Sequence, residues 1–553
     1  MSRLKITINN KNVVFEKPKE KIINVLKKNI DVNSFLPYVV VKNHKFCSLN
    51  DIIREDSTIN TFPEFHDSSR RTYLNTAVLI LSHICNKKFH DLHLTVLHSM
   101  ADGVYCKFQN HKITDELVTQ LKDEFNDCIE ENISIEPVLF EKIAAINYFK
   151  SIDREDTAKM LQYCSQNFLM LYELEGNKYW EQAPLAPNTG LIKVYDIHPY
   201  SDGFILRCPV EGDPHNLQEF SNQEKLYDVF QEFVRWGEIL KLITISDINE
   251  HIVNHTIPEV IKISESLQDK KMSYIADQIK DAGKRLVFIA GPSSSGKTTF
   301  ANKLAIQLKV LGLNALTLSL DDYFKDRDEL VREQGENLDF EVLEAIDLKL
   351  LNQHLKLLLG GHEIALPKYN FITGKKEDSG RKLKVDKNTI LLFEGIHGIN
   401  PGLTTEIEDK LKFKIYISAL THLNFDEKNR IATHDMRLLR RIIRDYKYRG
   451  YSAADTIAMW KKVVEGEKKY IFKFQQFSDI MFNSALVYEM NAVKNDAEKV
   501  LMQVPFEHPS YPEAERLLDI LSFFLPIDGK YIPDTSLIRE FFGGSAFRSG
   551  CSS

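Results

Sequence analysis

Near the start of the chain, apolar and polar residues alternate at strand spacing and predict a small β-rich unit over residues 1–62. Two alternating runs, over 4–8 and 13–15, flank a cluster of Asn and Lys and predict a hairpin. The other predicted elements are a short amphipathic helix and two strands, over 22–28, 38–41 and 57–62. This order predicts a β-grasp, ubiquitin-like fold, for which an interaction or spacer role is expected.

Residues 63–265 mix helical and strand periods and predict an α+β region. The expected strands lie over 104–108 and 203–210, and the expected helices over 73–85, 113–128, 137–149 and 154–164. His83, His90, His93 and His98 are close in sequence, but their spacings do not repeat a ligand pair on one helical face. We therefore expect packed or surface histidines there rather than a metal site.

From Leu286 the pattern changes to buried strands that alternate with helices. The apolar run 286–290 predicts a parallel strand, and 300–311 repeats apolar residues at helical spacing. The loop between them fits G-x-x-x-x-G-K-[ST], in which backbone N–H groups surround phosphates, the Lys faces the β/γ oxygens and the hydroxyl binds Mg²⁺. The sequence therefore predicts a nucleoside-triphosphate site formed by Gly291, Ser293, Ser294, Ser295, Gly296, Lys297, Thr298 and Thr299.

Acidic residues follow two of the next predicted strands. The run 314–320 ends in Asp321-Asp322, and the run 389–393 ends in Glu394. With a further strand over 413–418, this βα alternation predicts a parallel sheet whose ligands bind at the carboxyl ends of the strands. A carboxylate there can deprotonate an attacking hydroxyl and contact Mg²⁺. Capping of a helix is the open alternative for the Asp pair.

Four arginines share one face of a predicted helix near the end of this region. They follow one another at i, i+3, i+4 and i+7, and are Arg437, Arg440, Arg441 and Arg444. A solvated face paired with Asp435 and Asp445 is one interpretation. Since the helix follows a phosphate loop and two strand-end acids, we favour a lid that closes on phosphates.

Composition adds few constraints. A chain of 553 residues is too long for a single hydrophobic core, so several domains are expected. The net charge of −7 gives no overall basic field for nucleic acid. No apolar run reaches the roughly 20 residues that span a bilayer, and the N-terminus lacks the apolar core of a signal peptide. Seven scattered cysteines without a C-x-x-C pair fit a reducing compartment, so a cytoplasmic location without membrane contact is expected.

Two stretches of the N-terminal half resemble threonyl-tRNA synthetases. DGVYCKF over 102–108 is similar to a D-G-F-Y-Y-D-F strand of that family, and APNTGLIK over 186–193 to its P-S-T-G-x-I-K turn. The resemblance implies a TGS domain over 1–62 and the second additional domain, used for editing, over 63–265. The family's His and Cys ligand positions fall at Asn75, Leu79, Glu181 and Leu185, so zinc ligands and hydrolytic editing are expected to be lost.

Six ordered motifs over 285–490 resemble the uridine kinase/phosphoribulokinase group of P-loop kinases. They include GPSSSGKTT, SLDDYF, PKYNF, FEGIHG and RRIIRDYKYRG. The resemblance implies a kinase domain over 266–505, with a C-terminal helical extension over 506–553 packed on it. It implies ATP and Mg²⁺ as cofactors.

The resemblance also assigns roles to residues. Asp321 corresponds to the general base, with Lys297 as the second catalytic residue; Thr298, Glu394 and Asp321 correspond to the Mg²⁺ shell. Arg444 and Arg449 correspond to contacts with the triphosphate. The corresponding substrate residues are Asp321, Asp339, Glu341, Tyr369, Phe371 and Arg441.

The favoured hypothesis is phosphorylation of a nucleoside 5′-hydroxyl. The family's base-reading His and Gln fall at Gly374 and Met459, which leaves another small alcohol, such as a sugar phosphate or vitamin precursor, as an alternative acceptor. An RNA-binding regulatory NTPase is the alternative of a different class, although no N-K-x-D motif is present. The expected partner is the small substrate; an RNA or regulatory contact of the N-terminal half and a homo-oligomer stay open.

Overall fold

The computed structural model describes residues 4–10, 12–29, 37–62, 65–109, 111–335, 341–370, 373–421 and 423–547. Within the first 62 residues, the described part has one helix, α1 (Ile22–Asn29), packed on a five-stranded sheet of order β2-β1-β7-β4-β5. The strands are β1 (Leu4–Ile8), β2 (Asn12–Glu16), β3 (Glu20–Lys21), β4 (Val40–Lys42), β5 (Lys45–Cys47), β6 (Ile52–Ile53) and β7 (Ser57–Thr61). The predicted hairpin is present as the antiparallel pair β1–β2.

The following residues form two further sheets, β10-β11-β12 and β13-β14-β9-β8. The strands are β8 (Leu94–Met100), β9 (Gly103–Phe108), β10 (Glu136–Glu141), β11 (Phe168–Leu174), β12 (Asn177–Trp180), β13 (Asp196–Tyr200) and β14 (Gly203–Arg207). The helices are α2 (Asp67–Lys88), α3 (Asp115–Glu130), α4 (Lys142–Ser151), α5 (Glu155–Tyr163), α6 (Glu224–Leu240) and α7 (Ile245–Val253).

One predicted helix in this region is wrong in its first half. The segment predicted as a helix over 137–149 begins as β10 and becomes helical only at Lys142. β10 pairs antiparallel with β11, and Val138 lies opposite Leu171. Its backbone groups are therefore satisfied by a neighbouring strand that lies far along the chain, a contact that local periodicity does not report.

A long helix, α8 (Ile257–Asp281), leads into the C-terminal half. Residue 265, where the boundary between two domains is predicted, lies inside this helix. Its buried face packs against the central sheet and consists of apolar residues at helical spacing, namely Met272, Ile275, Ala276 and Ile279. The helix thus contributes to the core of the C-terminal half well before the strand that follows it.

The central sheet is parallel throughout, with the order β16-β19-β15-β20-β21. The strands of the C-terminal half are β15 (Leu286–Ala290), β16 (Asn314–Ser319), β17 (Ile364–Asn370), β18 (Lys375–Leu383), β19 (Thr389–Glu394), β20 (Lys412–Ser418) and β21 (Ile480–Asn483). β17 and β18 form a separate hairpin. Since β15 lies at the centre, between β19 and β20, the loop after it opens at the middle of the sheet's carboxyl edge.

Helices cover the sheet and join the two halves. They are α9 (Lys297–Val310), α10 (Arg327–Gln334), α11 (Leu348–Leu359), α12 (Thr433–Tyr448), α13 (Ala453–Tyr470), α14 (Glu489–Leu501), α15 (Tyr511–Leu521) and α16 (Arg539–Phe542). One apolar cluster contains residues of α4 and α5 together with residues of α12 to α15. No helix in the described ranges is long and apolar enough to cross a bilayer.

Candidate functional site

The loop after β15 is held close to the sheet by glycine. A Cβ at Gly291 would lie 2.0 Å from the carbonyl oxygen of Ile417, so a side chain there would displace β20. Gly296, with φ of +85°, ends the loop, and α9 begins at Lys297. The Lys297 ammonium donates to the carbonyl oxygens of Gly291 at 2.9 Å and Pro292 at 3.1 Å. Strand, loop and helix therefore stand in the order that a phosphate-binding loop needs.

The two strand-end acids lie on neighbouring strands beside this loop. Ser319 pairs with Glu394 across β16 and β19, and its hydroxyl donates to the Glu394 carboxylate at 3.2 Å. The same hydroxyl accepts from the backbone N–H of Asp321 at 3.3 Å. Ser319 therefore links the Glu394 carboxylate to the backbone of Asp321, and the pairing of β16 with β19 places the two acidic residues on adjacent strands.

Burial dominates the electrostatics of these groups. Burial, reinforced by Asp321, raises the pKa of Glu394 to about 7. Burial also raises the pKa of Asp321, opposed by the charge of Lys297, and lowers the pKa of Lys297, opposed by Glu394. Lys297 and the two acids consequently form one interacting charge cluster at the mouth of the loop.

Two carboxylates outside the predicted motifs bind N–H groups of the loop. Glu467, from α13, accepts from the backbone N–H of Ser293 at 2.6 Å. Glu540, from α16, accepts from the backbone N–H of Thr299 at 3.2 Å and from its hydroxyl at 2.8 Å. Sequence reasoning missed both residues. They occupy donors of the kind that phosphate oxygens use at a helix N-terminus.

The arginines of α12 divide into two groups. Arg437 and Arg440 are buried and donate to carbonyl oxygens of the loop, at Ser293 and Ser294. Arg437 also forms an ion pair with Glu467, and Arg440 forms one with Glu489. These two guanidinium groups contact the loop and are paired within the protein, which differs from the predicted lid of four arginines on bound phosphates.

The other arginines converge on one buried carboxylate. Arg441, Arg444 and Arg449 lie 3.2, 2.8 and 3.6 Å from oxygens of Asp445. Arg441 also donates to the Ser293 hydroxyl at 2.8 Å, which links this cluster to the loop. Three cations around one anion leave positive charge near the phosphate loop. The structure thus brings together the three arginines for which the family resemblance implies contacts with substrate and triphosphate, and their role stays a prediction.

The predicted substrate residues are only partly within the described chain. Asp339 and Phe371 lie outside it. Glu341 lies against α13, where a Cβ on Gly466 would fall 1.6 Å from its carboxylate, and its charge acts on Arg441. Tyr369 is buried and packs edge-on against Phe324 at 5.6 Å, and its backbone N–H donates to Asp322.

The position at which uridine kinases carry a base-reading His is occupied differently. Gly374 adopts φ of +68°, and its carbonyl oxygen accepts from the backbone N–H of Arg327 at 2.7 Å. A Cβ on Gly374 would lie 2.8 Å from the Arg327 side chain. The charge of Arg327 also acts on Tyr369. A guanidinium therefore stands beside the predicted pocket aromatic.

Oxygen groups suited to Mg²⁺ are present at the loop. Thr298 is exposed in the first turn of α9, and Glu394 and Asp321 carry the nearby carboxylates. The described residues contain no group of three or more His, Cys, Asp or Glu that could hold a metal alone. This donor set fits Mg²⁺, which keeps waters and shares phosphate oxygens with one or two protein ligands.

In the described part of the N-terminal half, two of the histidines and two of the synthetase-like positions lie within ordinary packing. His83 contacts Tyr179 and Glu175, and His98 stacks on Phe230, so these two histidines are packed in separate places. Leu79 and Leu185, at two of the positions where the synthetase family has ligands, belong to one apolar cluster. A cavity of about 820 Å³ opens beside Arg285 at the amino ends of the central strands, away from the phosphate loop at their carboxyl ends.

A phosphate-binding loop at the centre of a parallel sheet, flanked by strand-end acids and an arginine helix, defines a P-loop kinase fold. The sequence model of the Phosphoribulokinase / Uridine kinase family matches residues 286–490. A uridine kinase of Mycoplasma pneumoniae is 31% identical over 35% of this chain and 83% of its own length. One from Clostridium perfringens is 30% identical over 36% of this chain and 87% of its own. A solved D-glycerate 3-kinase of Cryptococcus neoformans is 15% identical, covers 49% of this chain and 88% of its own, and has a TM-score of 0.21. The chain belongs to the phosphoribulokinase/uridine kinase family.

Proposed function

We propose that this protein transfers the γ-phosphoryl group of ATP to the 5′-hydroxyl of a nucleoside, with Asp321 as the general base. The observation that carries the proposal is the cluster of Asp321, Glu394 and Lys297 at the mouth of the phosphate loop. A base must lie beside both the phosphate site and the acceptor pocket. This assignment of Asp321 is supported by its neighbour Asp322, which accepts from the backbone N–H of Tyr369, the predicted pocket aromatic.

The chain's own groups supply most of the transfer chemistry. Asp321 accepts the proton of the attacking hydroxyl, and Lys297 turns from the loop carbonyls toward the β/γ oxygens. Arg441, Arg444 and Arg449 add positive charge where the transition state is most negative. Thr298 and Glu394 would hold Mg²⁺, which neutralises charge on the phosphate oxygens when bound.

Two observations support a nucleoside as acceptor. Curated relatives that this chain covers over more than four-fifths of their length are uridine kinases. Glu341, which corresponds to the family's ribose-binding acid, lies near the lid residue Arg441. A carboxylate in that place can accept two hydrogen bonds from vicinal hydroxyls.

A second acceptor class is favoured by Arg327. Its guanidinium stands against Gly374, where a base-reading imidazole is absent, and beside Tyr369. A cation at a pocket wall favours a substrate with its own anionic group, such as a phosphorylated or carboxylated alcohol. We therefore keep a charged small alcohol as the alternative acceptor for the same phosphoryl transfer.

Substitution of Asp321 tests the proposed base. We expect Asp321→Asn to lower kcat by about 10²- to 10⁴-fold, because the amide cannot take the hydroxyl proton, while ATP binding is retained. ADP release with a panel of nucleosides and anionic alcohols measures turnover, and calorimetry with a non-hydrolysable ATP analogue measures binding. Asp277→Asn, at an exposed position of α8, is the matched control. Full turnover by Asp321→Asn would refute the assignment of the base, and the panel identifies the acceptor class.

A further inference from the structure

A second cavity lies between the two halves of the chain, away from the phosphate loop. Its volume is about 460 Å³, and it is lined by the end of α2, the turn between α4 and α5, the residues around β12 and the loop 426–429. The last of these belongs to the segment that precedes α12. A volume of this size is typical of sites for small molecules. None of the phosphate-loop residues contributes to its wall.

The loop that closes this cavity is firmly docked on the N-terminal half. The carbonyl oxygen of Glu427 accepts from the backbone N–H of Val96 at 2.8 Å. The Asn429 amide donates to the carbonyl oxygen of Trp180 at 3.1 Å. The Thr157 hydroxyl donates to the Asp426 carboxylate at 2.8 Å. The cavity is therefore a preformed space with walls from both halves rather than a loose surface gap.

Most charges around the cavity are paired. Arg154 bonds both oxygens of Asp156 at 3.1 and 3.2 Å, and it lies 3.6 Å from Asp426. Asp426 also accepts from the backbone N–H groups of Lys428 and Asn429. The hydrogen-bonding capacity of these two carboxylates is therefore used within the protein, although their negative charge also acts on Lys428.

Lys428 is the exception. Its ammonium is buried at the cavity and has no hydrogen-bond partner among the described residues. Burial, with the charge of Arg154, lowers the pKa of Lys428 to about 8, so the group is still mostly protonated at neutral pH. A buried ammonium without a hydrogen-bond partner destabilises the folded protein unless an anion binds to it.

We propose that this cavity is a binding site for a small anionic metabolite whose carboxylate or phosphate oxygens accept from Lys428. The Glu181 carboxyl lines the same cavity, and burial raises its pKa well above the usual range. When protonated, this carboxyl can donate a hydrogen bond to the anion. The bound anion contacts the segment that runs into α12, whose Arg437 and Arg440 hold the phosphate loop.

Binding of defined anions tests this site on the full-length protein. The probes are succinate and L-glutamate as carboxylates, inorganic phosphate and glycerol 3-phosphate as phosphates, and a short single-stranded RNA. The proteins are the wild type, Lys428→Met, and Lys112→Met as a control at an exposed lysine. We expect at least one small anion to raise the thermal midpoint of wild type and Lys112→Met equally, with affinity about tenfold weaker in Lys428→Met.

The unliganded variant gives a second readout. Because Lys428→Met removes an unpaired buried charge and keeps the length of the side chain, its thermal midpoint should equal or exceed that of the wild type. Phosphate can also bind the loop after β15, so only a shift in thermal midpoint that is weaker in Lys428→Met counts toward this site. The proposal is overturned if no small anion produces a shift that depends on Lys428, or if only RNA produces one. The result separates carboxylates from phosphates and does not depend on which alcohol the kinase phosphorylates.

Discussion

Arginines lie on both the inner face and the outer end of α12, but their environments differ. Arg440, on the inner face, is fully buried and paired with the fully buried Glu489. Arg444 and Arg449, at the outer end, share the single carboxylate of Asp445, and Arg449 remains half exposed. The inner charge is compensated within the fold, whereas the outer charges exceed their protein partners. The excess is what an anionic substrate can use.

Removal of the inner arginine should give the largest effect. We expect Arg440→Met to destabilise the protein by about 3–5 kcal/mol, because Glu489 is left as a buried charge without its partner. The midpoint of chemical unfolding, followed by circular dichroism, measures the loss. The double variant Arg440→Met/Glu489→Leu should recover most of it, since the uncompensated charge is gone. A single variant as stable as the wild type would show that the inner face is not structural.

Removal of the outer arginines should leave the fold intact and impair turnover. We expect Arg444→Met and Arg449→Met each to lower kcat/KM by about 100-fold, because positive charge near the transferred phosphoryl group is lost. The thermal midpoint should stay at the wild-type value. Arg235→Met, at an exposed position of α6, controls for loss of a surface charge. Equal loss of stability in the inner and outer variants would abolish the distinction between them.

Sequence periodicity predicts which arginines share a helical face, but it does not predict which of them are paired with carboxylates of the protein. The spacing of 437, 440, 441 and 444 correctly indicates one basic face, because helical geometry is local. The partners of these residues are not local. Glu489 lies 49 residues from Arg440 in the sequence, and Glu467 lies 30 from Arg437. Such pairs depend on how helices pack, which no local pattern records.

The same reasoning explains which parts of the fold were predictable. Asp321 and Glu394 follow apolar runs in the sequence, so their positions at strand ends could be inferred. The burial of these runs differs, because β19 is buried whereas β16 is an edge strand in which only Ala315 is buried. β21, with only four residues, gives too short a pattern to be recognised. Glu540 contacts Thr299 across 241 residues of sequence, and no motif near Glu540 indicates this contact. The family motifs therefore predict the loop and its acids, while tertiary packing determines what surrounds them.

The weakest of these charge effects should come from Glu540. Its carboxylate accepts from the backbone N–H and the hydroxyl of Thr299. A protein carboxylate therefore occupies hydrogen-bond donors that a phosphate could use. We expect Glu540→Gln to lower the KM for ATP by about fivefold, because a negative charge beside the incoming phosphates is removed. Steady-state kinetics with varied ATP measures this change, and kcat should alter less than KM.

Glu507→Gln, which neutralises an exposed carboxylate elsewhere in the C-terminal segment, is the matched control and should leave the KM unchanged. If Glu540 instead helps to position the phosphate loop, Glu540→Gln would raise the KM rather than lower it. The sign of the change therefore decides whether this carboxylate competes with the nucleotide or supports its site. A lower KM would show that the phosphate loop, like the inner face of α12, is compensated by protein groups. In the loop, those groups would occupy hydrogen-bond donors that the phosphates of ATP also use.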